Sequence, residues 1–187
     1  MVATTLIESF SLVSLAEMGD KTQLLSILLA ARLRRRGPVL MGILCATLLN
    51  HGFTAWLGSE IGSKIDPYWL NIGAAAMLII TGLWTLVPDG EPTLEKASKH
   101  GAFLTSFIAF FLAEMGDKTQ LATLTLGARF ADTWLVVLGT TAGMMAANLP
   151  AVIFGKALMR RLPMEALHKL ACVLFVGIGV YGLVKAL

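Results

Sequence analysis

Leu15-Ala16-Glu17-Met18-Gly19-Asp20-Lys21-Thr22-Gln23-Leu24 recurs letter for letter as Leu112–Leu121, 97 residues further along the chain. Both copies sit inside long hydrophobic runs, where inserting an ionised side chain costs roughly 2.5–3.5 kcal/mol. Packing alone gives no reason to place Glu17, Asp20, Glu114 and Asp117 there. Duplicated acids in the middle of an apolar layer read as a site for a cation.

The rest of the chain supplies that layer. Of its 187 residues, 56% are apolar and 14% charged, and the mean hydropathy of +0.75 lies outside the balance of a soluble domain. Segments of about 18 or more mostly apolar residues recur along nearly the whole length, each able to cross a hydrocarbon core of about 30 Å. The pI of ≈ 9.0 does not argue for nucleic acid, because the basic residues gather in short loops between apolar segments. The N-terminus lacks a basic region and Glu8 interrupts the first apolar run, so no cleaved signal is expected. Cys45 and Cys172 stand alone in different apolar segments, without metal-type spacing, and read as small buried residues.

The pattern predicts an all-α polytopic membrane protein with six transmembrane helices, about 3–31, 38–63, 67–88, 102–128, 133–158 and 163–186. Pro38, Pro67 and Pro163 fall at helix starts, where a missing N–H does no harm. Residues 1–88 and 102–187 form two three-helix repeats in a single membrane domain, joined by a polar linker over 89–101. The register extends beyond the motif: Ser9 and Phe10 match Ser106 and Phe107, and Gly42, Gly58 and Gly82 match Gly139, Gly155 and Gly179. An odd number of helices per repeat makes the second half enter from the opposite side, an inverted-topology repeat of the kind found in many secondary transporters. Loop charges agree. Arg32, Arg34, Arg35, Arg36, Lys96, Lys99, Lys156, Arg160 and Arg161 fall on one side, against Lys64, Arg129 and Lys185 on the other. The excess of basic residues marks the cytoplasmic face, which places the linker inside and both termini outside. Tyr68, Trp69, Trp84 and Trp134 lie near helix ends, where aromatic belts form, whereas Trp56 is deeper and expected to pack against another helix.

Glu-x-Gly-Asp sets two carboxylates three residues apart, near one face of a helix. Gly19 and Gly116 between them permit close helix approach or a local opening of the backbone. Thr22, Gln23, Thr119 and Gln120 add neutral oxygens within a turn. Pseudo-symmetry brings both copies together near the midplane, giving an oxygen-rich set suited to a hard divalent ion such as manganese, calcium or magnesium. Neither copy holds cysteine or histidine, which disfavours zinc and copper. Four acids with Lys21 and Lys118 sum to two net negative charges, cancelled by one divalent cation or by two protons. That count makes proton exchange a natural partner of metal movement, provided the lysines face the site rather than leave it. A structural salt bridge between the first and fourth spans is the bland alternative, but it needs one acid per base and no ten-residue duplicate.

Other polar residues are candidates to line the path: Asn50 and His51 in the second span, Asn148 in the fifth at the position aligned with His51, and Ser26 and Thr123 one turn beyond the acids. His51 could relay protons or simply pack, and Ser26 and Thr123 could bond their own helix carbonyls. Glu8 has Thr105 as its counterpart and reads as a near-surface residue; no role is expected of His100 or His168.

Two Glu-x-Gly-Asp-Lys-Thr motifs, one per three-helix half and with no departure in either copy, resemble those of the calcium/manganese cation–proton exchangers, a family of bacterial manganese exporters and eukaryotic Golgi transporters. The resemblance covers essentially the whole chain. It implies that Glu17, Asp20, Glu114 and Asp117 are the core ion-binding acids, with the motif lysines, threonines and glutamines around them. It further implies export of manganese, or of calcium, in exchange for protons by alternating access, with no resident cofactor. Small size and the lack of a targeting extension fit a multi-pass protein of a bacterial plasma membrane. The partners expected are the transported ion and the lipid bilayer, not nucleic acid, with homo-oligomerisation compatible. Two rivals stand beside this reading: an exporter of small organic solutes, and an intramembrane metal-dependent enzyme, for which no candidate nucleophile is evident.

Overall fold

The computed structural model describes residues 2–87, 101–155 and 163–186. These residues form eight helices: α1 Val2–Glu17, α2 Lys21–Leu33, α3 Arg36–Gly62, α4 Pro67–Trp84, α5 Ala102–Glu114, α6 Lys118–Arg129, α7 Thr133–Phe154 and α8 Met164–Ala186. No strand occurs among the described residues. Among the described residues, four helices are long and apolar enough to cross a membrane: α3, α4, α7 and α8.

The expected continuous spans 3–31 and 102–128 are each broken in two. Gly19 and Gly116 adopt φ of 86° and 77°, a left-handed conformation that glycine takes without a Cβ clash. The helix therefore ends at the glutamate and restarts after the aspartate. Asp20 and Asp117 are the residues from which α2 and α6 start, where the helix dipole favours negative charge. At 16, 13, 13 and 12 residues, none of the four pieces reaches the roughly 20 residues a span needs alone.

The other ends follow local chemistry. Asp66 caps α4 by accepting from the Tyr68 N–H at 2.9 Å, with Pro67 in the first turn. Asp132 caps α7 by accepting from the Leu135 N–H at 3.2 Å, and Gly155 at φ 60° closes that helix. The expected span 133–158 thus stops at Phe154, and 67–88 at Trp84. Most of the linker 89–101, with Lys96, Lys99 and His100, lies outside the described residues, as do Lys156, Arg160 and Arg161.

Packing follows small residues. α1 lies along α7, α3 meets α5 and α6, α3 crosses α7, and α4 lies along α8. A Cβ on Gly42 would stand 2.6 Å from the Phe103 carbonyl and 2.9 Å from the Ser106 Cβ. Its counterpart Gly139 would press on Leu6 and Ser9, the residues 97 places earlier. Gly82 and Gly179 repeat the relation, against Cys172 and Val176 and against Ala75 and Ile79. Two apolar clusters fill the interior, one around Leu12, Leu78, Leu126 and Phe175, the other around Val13, Ile43, Phe110 and Met144. Some expectations fail at the surface. Trp56 is 53% exposed, its ring 6.0 Å from that of Phe53 on its own helix, and Cys45 and Cys172 are half-buried rather than buried.

Candidate cation site

The two helix breaks face each other in the interior. Glu17 and Glu114 close α1 and α5, and Asp20 and Asp117 open α2 and α6, so the acids flank the breaks instead of sharing the face of one continuous helix. All four are buried. Glu17, Glu114 and Asp117 each offer a carboxylate oxygen, these atoms lying within 4.8 Å of one another. Asp20 is held by Lys118, Nζ to Oδ1 2.7 Å, and Asp117 by Lys21 at 3.3 Å. Each lysine thus crosses to the aspartate of the other copy. The bland salt bridge is present, but the pairs take up the aspartates.

The glutamates are organised by the threonines. Thr22 donates to Glu17 Oε2 and Thr119 to Glu114 Oε2 at 3.2 Å. The other oxygens, Glu17 Oε1 and Glu114 Oε1, are buried without a hydrogen-bond partner, as is Asp117 Oδ2. Buried carboxylate oxygens left this way are expensive unless a cation or proton meets them. Such a set of hard oxygen donors suits a divalent cation.

The glutamines have another task. Gln23 Oε1 accepts from the Gly19 N–H at 2.9 Å, and Gln120 Oε1 from the Gly116 N–H at 2.8 Å. Each bridges its break and satisfies a backbone donor freed there. Expected as ligands, both glutamine oxygens face backbone in this arrangement. Gln23 Nε2 also donates to the Ala147 carbonyl at 2.8 Å.

Of the path-lining candidates, Ser26 donates to Asn148 Oδ1 at 2.6 Å, while Asn148 Nδ2 donates to the Met144 carbonyl at 3.0 Å. Asn50 Nδ2 donates to the Phe111 carbonyl at 3.2 Å, and Thr123 bonds the Thr119 carbonyl of its own helix. His51 is buried with both ring nitrogens lacking a hydrogen-bond partner. A cavity of ≈ 400 Å³ opens between α3 and the α5/α6 break, reaching Asp117 and lined by Asn50, Thr54, Met115 and Gln120. Thr54 and Met115 escaped sequence reasoning; the motif marks Met115 only as a spacer. Glu8, read as near-surface, is half-buried and paired with Arg129 at 3.1 Å; no periodic signal joins residues so far apart.

Comparison with known proteins places the chain in a family. The profile of the family described as divalent cation/proton antiporter GDT1 matches residues 5–93 and 102–187, both halves and both motif copies. The chain belongs to the GDT1 family. A Vibrio cholerae protein named "Putative manganese exporter" is 44% identical over 176 residues, 93% of this chain and 88% of the relative. A GDT1-like protein of Synechocystis is 27% identical, covering 88% and 89% of the two chains, and GDT1-like protein 3 of Arabidopsis thaliana is 27% identical, covering 96% and 70%. No solved structure matches the chain. In this GDT1 chain the matched segments hold every acid and lysine of the paired motifs.

Proposed function

We propose that this antiporter exports manganese across a bacterial inner membrane in exchange for protons, by alternating access around one site built from both motif copies. The observation that carries the reading is the convergence of Glu17, Glu114 and Asp117, drawn from both copies, with ligand oxygens within 4.8 Å of one another. Asp20 completes the acid set, and Thr22 and Thr119 orient the glutamates. Lys21 and Lys118 both reach the aspartates, which supports a count of four negative and two positive charges, a balance that one divalent ion or two protons would neutralise. The relative named for manganese supports that ion over calcium. Calcium, which takes the same oxygen donors, remains the natural competitor.

Six spans fit best when α1 with α2, and α5 with α6, each cross as one broken helix. Helices interrupted at a midplane ion site are a recurring transporter design. A twofold relation between the halves is supported by the glycine contacts that repeat at an offset of 97 residues, and three spans per half would make that relation an inverted one. Arg32, Arg34, Arg35 and Arg36 then mark the cytoplasmic side, with both termini outside. The site binds and releases ions without covalent chemistry, so no enzymatic activity is proposed.

The test is manganese uptake into proteoliposomes driven by an imposed pH gradient. Wild type should take up manganese with calcium competing, and Glu114→Gln should lower the rate by about two orders of magnitude or more, the scale of losing one buried charged ligand. Wild-type vesicles that move no divalent ion under any gradient would refute the reading.

A further inference from the structure

The two halves are alike in sequence but not in their present contacts. On one side, α2 is stitched to α7: Gln23 donates to the Ala147 carbonyl at 2.8 Å and Ser26 to Asn148 at 2.6 Å. The residues 97 positions away are Gln120, Asn50, Thr123 and His51. There Gln120 lines the cavity, the Thr123 hydroxyl turns to its own helix, and both His51 ring nitrogens are buried without a hydrogen-bond partner. The ion pairs differ in the same sense. The Lys21 side chain is 28% exposed and 3.3 Å from Asp117, whereas that of Lys118 is 1% exposed and 2.7 Å from Asp20. Only Asp117 of the two aspartates joins the glutamates in the cluster.

We infer that this is one of two states related by exchanging residues 97 positions apart, with the Gln23–Ala147 and Ser26–Asn148 contacts forming a latch that shuts one access route while the cavity beside Asp117 is the open one. The inference rests on the exchanger reading above. In the other state, Gln120 donates to the Asn50 carbonyl and Thr123 pairs with His51, closing the present cavity. The Gln23 and Ser26 latch opens, Asp20 replaces Asp117 beside Glu17 and Glu114, and Lys118 becomes the exposed lysine. The glutamates serve in both states and the aspartates alternate. One of the two His51 nitrogens left without a partner here then gains the Thr123 hydroxyl. Each side trades one set of polar contacts for an equivalent set, so the states are close in energy, as a carrier requires. The cavity runs from Asn50 toward the C-terminal ends of α3 and α6, away from Arg36, so the present state opens away from the cytoplasm.

The test uses single cysteines on a Cys45→Ser, Cys172→Ser background, in right-side-out and inside-out membrane vesicles, with a membrane-impermeant maleimide. Thr54→Cys in the cavity and its counterpart Ala151→Cys should label from opposite faces. Asn148→Ala should raise labelling of Ala151→Cys and lower that of Thr54→Cys, by about five-fold for the loss of one net hydrogen bond. Leu57→Cys with Phe154→Cys forms a second pair if the first folds poorly. A Ser26→Cys, Asn148→Cys disulfide should stop manganese exchange, and reduction should restore it. Labelling of both positions of a pair from one face, or full exchange with the disulfide formed, would overturn the two-state relation. Reciprocal labelling without manganese movement would uphold that relation and refute the cargo reading instead.

Discussion

At Gly116 the backbone sits at φ 77° with nothing within 4 Å of an added Cβ. Alanine there would meet no neighbour, and its whole cost is the left-handed backbone, about 1–2 kcal/mol. Thermal unfolding in detergent should rank glycine above asparagine and asparagine above alanine, since asparagine tolerates this region better. The lysines differ in another way. Lys118→Met removes the ammonium from a fully buried pair, which leaves a buried charge poorly compensated. Water can take over part of the role of the half-exposed Lys21. Lys118→Met should therefore lower the melting temperature more than Lys21→Met, while both slow pH-driven manganese uptake. Equal melting temperatures would contradict the inequality of the two pairs. The repeated decapeptide made all four acids and both lysines legible in the sequence. The crossing of each lysine to the other copy was not spelled out, although neighbours such as Asp20 and Lys21 do not face each other on a helix.

Between elements, glycine decides how closely helices approach. Gly42→Ala would drive a methyl to 2.6 Å from the backbone oxygen of Phe103, and Gly139→Ala would bring one to 2.7 Å from the Ser9 Cβ. Overpacking of this kind costs about 1–3 kcal/mol. Gly52, also in α3, has nothing within 4 Å, so Gly52→Ala should be close to neutral or slightly stabilising. Comparing folded yield and melting temperature of Gly42→Ala and Gly52→Ala tests whether contact, not helix propensity, sets the requirement. The four long helices were readable because apolar length marked them and, in three of them, Pro38, Pro67 or Pro163 marked the start. The breaks were harder to read. A glycine in an apolar run equally suits close packing or an interruption, and only the glutamine side chain returning to the Gly19 or Gly116 N–H selects the latter. That contact also explains why glutamines that look like oxygen donors in sequence are turned to the backbone.

Across the whole molecule, the proposed cation site is a single one, drawn from both copies of the motif. Composition made an all-helical chain with membrane-length apolar helices legible, and the repeated motif marked the candidate acids, but not which of them converge. That depends on how α3 and α7 seat the two breaks against each other, and it leaves Asp20 with Lys118 while Asp117 joins the glutamates. The most direct measurement is the stoichiometry of manganese binding to the purified chain in detergent, read by titration calorimetry or the free-ion paramagnetic resonance signal. Wild type should bind one manganese ion per chain, and Glu17→Gln and Glu114→Gln should each abolish that binding. Two ions per wild-type chain, or one ion still held when either glutamate alone is replaced, would contradict a shared site.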